Sequence, residues 1–505
     1  MDPKTAPADT PPYQPLPLSR PAHDPYHLRT RKVEGEWLVI DKISTGVEGL
    51  DHLTGGGFLR GSAYIIQGPP GAGKTILANQ FCYAHIRAGG RALYMSLLAE
   101  SSARMLNYVG QMSFFDQSVV PERMEYISAY GVLEREGLPG LLKLVQHELK
   151  RHEATAMVLD GTFVAQSLAS EQEFRSFIHT LQGIAGMANA VLVMLTHQAR
   201  EAGSPEHTMV DGWIELSNEL IDYRAIQAIQ VRKHRGAPIL GGKHRLRLSN
   251  SGIEVFPRIE SYSSDISAPV REPTSVSTGI PDLDRVLGGG IPSQSATLVL
   301  GPAGSGKTTL GVYFVAQATA EAPALMLGFY ENPTRLRARA RQLGFNLDRM
   351  ADQNVLRLLW LPPSELIVDE VVHGVVRHAK AIGAKRVFID GIVALRDSLV
   401  FRERLPYLIN ALSQQLCDSG ATVMYTQESA ELEIDCAMPS DALSAMVDNV
   451  LVLNISRRHY VSQRYISVVK MRDRHFESRT QPFHIGEQGL VLGVDTVAFD
   501  AGQTD

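Results

Sequence analysis

Gly68-Pro-Pro-Gly-Ala-Gly-Lys-Thr75 and Gly301-Pro-Ala-Gly-Ser-Gly-Lys-Thr308 are two copies of one pattern, GxxxxGK[ST]. Each follows a short apolar run and leads into a stretch with helical spacing, the context a phosphate-binding loop requires. Glycines at Gly68, Gly71 and Gly73, and at Gly301, Gly304 and Gly306, let the backbone turn tightly enough for its N–H groups to surround phosphate oxygens. The N–H groups of Ala72 and Ser305 belong to the same cradles, and the helix behind adds partial positive charge. Lys74 and Lys307 reach the outer phosphates, Thr75 and Thr308 offer hydroxyls to magnesium, and Thr309 follows at the helix start. One match has a chance explanation as a glycine-rich turn; two in the same context do not.

The loops belong to a larger repeat. Thr45-Gly46, Leu50-Asp51 and Gly55-Gly56-Gly57 recur as Thr278-Gly279, Leu283-Asp284 and Gly288-Gly289-Gly290, and Lys74 recurs as Lys307, all 233 positions apart. The chain is therefore a duplicated domain. Residues 1–35 are proline-rich and polar, the composition of an extended or disordered arm. Order is expected from about Glu36-Trp-Leu-Val-Ile40, with a first domain over 36–262, a serine-rich linker over 263–275, a second domain over 276–492 and a short tail over 493–505. In each copy, apolar runs alternate with helical segments: Ala63–Ile66, Ala92–Met95, Ala156–Leu159 and Ala190–Leu195, then Ala296–Leu300, Ala324–Leu327, Arg386–Ile389 and Ala421–Tyr425. That alternation predicts an α/β fold of two tandem P-loop domains, each a mostly parallel sheet flanked by helices.

Composition sets the outer limits. At 505 residues, 44% hydrophobic and 20% charged, the chain is globular. No apolar run approaches a membrane span, so no membrane partner and a soluble, cytoplasmic protein are expected. Cys82, Cys417 and Cys436 are scattered and odd in number, suggesting neither a disulfide framework nor a zinc site. A net charge of −5 argues against a general nucleic-acid footprint.

Ligands of such sheets bind at the carboxyl ends of the strands. Asp160 and Asp390 end apolar runs 86 and 83 residues after the loop lysines, where a magnesium carboxylate is needed. Glu100 and Glu331 follow the next strand of each domain and are candidates to orient an attacking water; a helix-starting glutamate is the plainer alternative. Lys233-His-Arg235 and Lys470-Met-Arg472 stand 22 residues after Asp211 and Asp448, in equivalent places. Such a pair either supplies charge to a neighbouring subunit's nucleotide or is a basic strand edge.

These motifs, with His475 and the ending Phe483-His-Ile-Gly-Glu-Gln-Gly-Leu, resemble the KaiC family of RecA-like ATPases over residues 36–492. The resemblance implies two RecA-like ATPase domains that use ATP and Mg2+, and six chains in a homohexameric double ring with ATP at subunit interfaces. It also implies Lys233, Arg235, Lys470 and Arg472 acting in trans, Kai-type or other signalling partners, and a role in signalling, timing or stress response. A clock member of the family phosphorylates itself on adjacent Ser and Thr of its second domain. The matching positions are Ser444 and Ala445, so a serine/threonine autokinase would have Ser444 as its acceptor. Where the family commonly has two adjacent glutamates, this chain has Glu331-Asn332 and Ala99-Glu100-Ser101. The second domain is accordingly expected to carry the regulated chemistry and the first to favour assembly. Two alternatives are a RecA-like DNA-binding recombination or repair ATPase, suggested by Arg335, Arg337, Arg339 and Arg341, and a nucleotide-gated scaffold with little catalysis.

Overall fold

The computed structural model describes residues 41–99, 102–197, 205–221, 224–262, 274–364, 366–429, 442–458, 461–472, 474–486 and 489–493. The proline-rich arm, the run Glu36–Ile40, Glu100, most of the linker and the tail beyond Gly493 lie outside them.

Each half is built on a nine-stranded sheet. In the first, six parallel strands run in the order Met124–Ser128, Ala92–Ser96, Ala156–Asp160, Val191–Thr196, Ala63–Gln67, Gly212–Ile221, and three antiparallel strands follow, Arg224–His234, His244–Ser249 and Gly252–Phe256. The second repeats this as Leu356–Trp360, Ala324–Gly328, Arg386–Asp390, Thr422–Glu428, Ala296–Gly301 and Asn449–Arg458, then Val461–Met471, Gln481–Gly486 and Gly489–Leu492. The inner four parallel strands of each sheet, buried on both faces, read as continuous apolar runs, which is why they were legible, whereas the flanking Met124–Ser128, Gly212–Ile221 and Leu356–Trp360 are only partly buried and were not read from the sequence. The strand feeding each GxxxxGK[ST] loop is central, so the loop emerges mid-edge with strand ends on either side.

Helices Lys74–Arg87 and Lys307–Ala316 start at the loop lysines and cover one sheet face. Side chains alternate across the sheet: Val193 and Leu195 join the core under the first loop helix, whereas Leu192 and Met194 pack with helix Glu171–Met187. In the second domain Met424 lies on the loop-helix face, and Val423 and Tyr425 face helices Val368–Ile382 and Leu405–Asp418.

The repeated Thr-Gly, Leu-Asp and Gly-Gly-Gly elements are structural. Asp51 accepts hydrogen bonds from Ser44 Oγ and from Thr45 through both backbone N–H and Oγ1; Asp284 does the same for Ser277 and Thr278. A Cβ on Gly57 would come 2.2 Å from the Ile43 carbonyl, and one on Gly290 2.6 Å from that of Val276, so only glycine lets the small antiparallel ribbon close.

The first domain ends against the second. Ile259, fully buried, belongs to the second domain's core. Arg404 pairs with Glu260 from the first domain and with buried Asp369 from the second. Burial opposes the charge of Glu260, but the hydrogen bonds and charge of Arg404 outweigh it and hold the carboxyl below its usual range.

Candidate functional site

At the carboxyl edge of each sheet the loop glycines take conformations that L side chains resist: Gly71 and Gly304 have φ +77°, Gly73 +93° and Gly306 +104°. Gly68 and Gly301 are fixed differently, since a Cβ there would come 2.5 Å from the Leu216 carbonyl and 2.4 Å from that of Leu453. Gly73 and Gly306 lie against Ile253 and Ile485 from the last strands, so the distal hairpin braces each loop.

The lysines point back into their loops. Lys74 Nζ donates to the carbonyls of Gly68 (2.7 Å) and Pro69 (3.0 Å), and Lys307 Nζ to those of Gly301 (2.7 Å) and Pro302 (2.8 Å). Burial lowers both ammonium pKa values, with Asp160 opposing at Lys74 and Glu428 then Asp390 at Lys307. Thr75 Oγ1 donates to Asp160 Oδ2 at 3.3 Å and Thr308 Oγ1 to Asp390 Oδ2 at 2.8 Å. The structure thus brings together the loop, lysine, threonine and strand-end aspartate in both copies. Among the described residues no three His, Cys, Asp or Glu converge as a metal cage. A nucleotide-linked Mg2+ needs only one or two protein oxygens beside the phosphates, and the Thr–Asp pairs fit that demand.

Each aspartate has a second hydroxyl that sequence reasoning missed. Buried Tyr94 donates to Asp160 Oδ2 at 2.6 Å, and Thr426 donates to Asp390 Oδ1 at 2.6 Å while its oxygen accepts from Gly391 N at 2.7 Å. Burial raises the pKa of Asp160, opposed by Tyr94, Thr75 and Lys74. The available signal was a polar Thr426 within an apolar strand; Tyr94 in a buried run gives none.

Glu331 stands just before helix Pro333–Gln342, which Asn332 caps by accepting from Thr334 N. It forms an ion pair with Arg339 at 3.0 Å; burial raises its pKa and Arg339 opposes the rise. Of the neighbouring arginines, Arg337 and Arg341 both pair with Asp348. Three of the four arginines are thus engaged by carboxylates, an arrangement of a solvated helix face and not of a phosphate track.

The Lys-x-Arg pairs occupy the other end of the sheet. Lys233 Nζ donates to the carbonyls of His207 and Thr208, and Lys470 Nζ to those of Ser444 (3.0 Å) and Val447 (2.6 Å). Arg235 pairs with Asp211 at 3.3 Å and Arg472 with Asp448 at 3.2 Å. These aspartates also accept from the first N–H of the loop strand, at Ala63 and Ala296, both at 3.0 Å. Ala296–Gly301 separates that anchor from its own loop by five residue steps, about 17 Å at ~3.3 Å per residue. Ser444, half-buried on helix Ala442–Met446, lies at the same amino end as Lys470. Lys233, Arg235, Lys470, Arg472 and Ser444 are therefore remote from the phosphate loop of their own domain.

Among the described residues, no helix is long and apolar enough to cross a membrane. A family model described as "ATPase: KaiC" matches residues 43–260 and again 276–496. The circadian clock oscillator protein KaiC of Rippkaea orientalis is 22% identical over 490 residues, covering 93% of this chain and 92% of that protein. The circadian clock protein KaiC3 of Synechocystis is 24% identical over 90% of this chain and 92% of its own, and KaiC of Synechococcus elongatus 24% over 90% and 89%. With twin phosphate loops on twin parallel sheets and the family pattern matched in both halves, the chain belongs to the KaiC family of ATPases.

Proposed function

We propose that this chain is a ring-forming ATPase, a cytoplasmic homohexamer in which each ATP and its Mg2+ lie between two copies. One copy contributes the loop, Lys74 or Lys307, Thr75 or Thr308, and Asp160 or Asp390. The next contributes Lys233 and Arg235, or Lys470 and Arg472. The observation that carries this reading is the separation of the basic pairs from their own loops by the length of the loop strand. Side chains that far away reach no phosphate in cis, while cations brought by a neighbour stabilise the charge of phosphoryl transfer. Glu331 orients the nucleophile in the second domain, and Glu100, its match in the sequence, is assigned the same role in the first.

Autokinase activity belongs to the same geometry. Ser444 lies at the amino end with Lys470, so the terminal phosphate it would accept comes from the loop of another copy. Its own domain's Lys307 cannot serve it. The clock proteins this chain is similar to make a timing or signalling role, with Kai-type partners, the natural setting.

Mixing two disabled chains tests the shared site. Lys307→Ala lacks a working second loop and Lys470→Ala/Arg472→Ala lacks the donated cations; mixed with Mg-ATP they form some interfaces with both halves intact. Turnover should rise at least about fivefold above the sum of the separate variants, as an arginine supplied in trans is worth a thousandfold or more in related chemistry. No gain on mixing, or full turnover by a chain that light scattering shows to remain monomeric with Mg-ATP, would refute the shared site. Mass spectrometry after incubation with ATP should find phosphate on Ser444; active enzyme without it would remove the kinase reading.

A further inference from the structure

A cavity of about 820 Å3 opens where the first domain meets the second, and none of the residues lining it belongs to either phosphate loop. One side is the entry of the first domain, Ser44 to Gly56, backed by the last strand Gly252–Phe256 and by Tyr262. The other side is helix Val368–Ile382 of the second domain, through His373 and Arg377. The volume falls within the ~300–1,000 Å3 of small-molecule sites. The equivalent place in the second domain is built differently: 233 positions after His52 stands Arg285, exposed and paired with Asp282 of its own helix.

Three rings are gathered on the wall. His52 stacks on Tyr262 with centroids 4.4 Å apart, and Tyr262 meets His373 edge-on at 5.9 Å. His373 is fixed across the domain junction, its Nε2–H donating to the Pro257 carbonyl at 2.6 Å. Val47, Ile253 and Phe256 add apolar surface. A flat ring entering the cavity extends this stack, since aromatic groups attract at centroid spacings of ~4.5–7 Å. The charged groups differ in their commitments. Of the three lining carboxylates, Asp51 is held by Ser44 and Thr45, and Glu254 by Arg247. Glu48 of the first domain and Arg377 of the second are exposed and enter no ion pair among the described residues. Arg377 therefore keeps its planar fork for an anion, and Glu48 is an acceptor for N–H or O–H groups. Burial lowers the His52 pKa, with His373 adding to the effect and Glu48 opposing it, so the imidazole is neutral in the physiological range and brings a ring without a charge.

We propose that this interdomain cavity binds a planar heteroaromatic anion of mononucleotide size, with its ring against His52 and Tyr262, its anionic group on Arg377 and its hydroxyl or N–H donors on Glu48. The ring then lies on the first domain and the anion on the second, so the ligand bridges the junction that Arg404 already ties through Glu260 and Asp369. The site is separate from the phosphate loops, and its occupancy does not depend on the roles given above to Glu331 or to the basic pairs.

Flavin mononucleotide, fluorescent and flat with a terminal phosphate, is the probe, titrated into the full-length protein with Mg-ATP at saturation so that both phosphate loops are filled. Saturable quenching by a single flavin per chain is expected, with Kd below about 1 mM. Riboflavin, the same ring without the phosphate, should bind at least about tenfold more weakly, the scale of a hydrogen bond to a charged group. Arg377→Ala, at an exposed position, should bring flavin mononucleotide to the riboflavin level and leave riboflavin binding unchanged, whereas His52→Ala should weaken both flavins alike. No saturable quenching, equal affinity for the two flavins, or a wild-type response from either variant would overturn the site. Quenching seen only without Mg-ATP would place the flavin on the phosphate loops and overturn it as well.

Discussion

The two domains share a frame and differ in the groups that face the phosphates. Both place loop, lysine, threonine and aspartate alike, and both anchor the far end through an aspartate, an arginine and a lysine on carbonyls. Along the strand beside the loop, however, Val193, Leu195 and His197 in the first domain face Met424, Thr426 and Glu428 in the second. Next door, Tyr94 in the first replaces Met326 in the second. Backbone-determined parts are kept after duplication because any change there breaks the loop. The side chains around the aspartate vary because several hydroxyls can satisfy the same carboxylate. The result is a first site that is apolar and closed around Asp160, 8% exposed, and a second that is more polar and open around Asp390.

Loop lysines break this comparison most directly. Lys74→Ala is expected to abolish assembly driven by Mg-ATP, whereas Lys307→Ala should still assemble but lose most ATP turnover, with the second-domain share falling about a hundredfold or more, the scale of losing a principal charge-stabilising group. Size-exclusion light scattering and turnover on the same samples read both. The reverse pairing of phenotypes would exchange the roles given to the two domains.

Acid response sharpens the contrast on a smaller scale. His85, His234 and His244 of the first domain are buried and neutral, each pushed down to about 4 by burial, with cations including Arg60, Lys42 and Arg258 adding to the effect. In the second domain Met471 occupies the place of His234, and the loop helix ends at Ala316, before a counterpart of His85 is reached. A histidine with a depressed folded pKa is more readily protonated when unfolded. Its contribution is full above the ordinary value near 6.5 and is lost as pH falls through about 4. At about 1.4 kcal/mol per pH unit, each histidine costs up to about 3 kcal/mol. Hydrogen exchange resolved by peptide, corrected for its intrinsic pH dependence, should show the first domain losing protection before the second between pH 6 and 4. Simultaneous loss would deny the histidines this role.

Most of the frame was legible because buried parallel strands are continuous apolar runs, and because a phosphate loop dictates glycine at fixed places. The 22-residue spacing from Asp211 to Lys233 and from Asp448 to Lys470 was visible too. Its meaning was not: that these groups cluster at the amino end of the loop strand depends on strand register, which spacing does not encode. Tyr94 and Thr426 were hidden for a related reason. Both reach the aspartate from neighbouring strands, so the contact joins residues 66 and 36 positions apart with no shared motif. Glu331 was legible as a strand-end carboxylate, but its commitment to Arg339 was not, since seven residues of intervening loop and helix decide whether the two meet.

Those hidden hydroxyls supply the finest comparison. Tyr94→Phe keeps the buried ring and removes one donor to Asp160, leaving the carboxylate with Thr75 in a closed setting. Thr426→Val keeps shape but removes both a donor to Asp390 and the acceptor for Gly391 N. An unpaired buried polar group costs about 1–3 kcal/mol. Asp160 already has its charged form disfavoured by burial, so losing the Tyr94 hydrogen bond pushes its pKa further up. Tyr94→Phe should therefore weaken Mg-ATP binding by the first domain, with the loss growing as pH falls. Thr426→Val should lower second-domain turnover only in part, because Asp390 keeps Thr308 at 2.8 Å. A Tyr94→Phe loss that stays constant with pH would mean that closure around Asp160 does not set its charge, and the distinction between a closed first site and an open second one would have to be withdrawn.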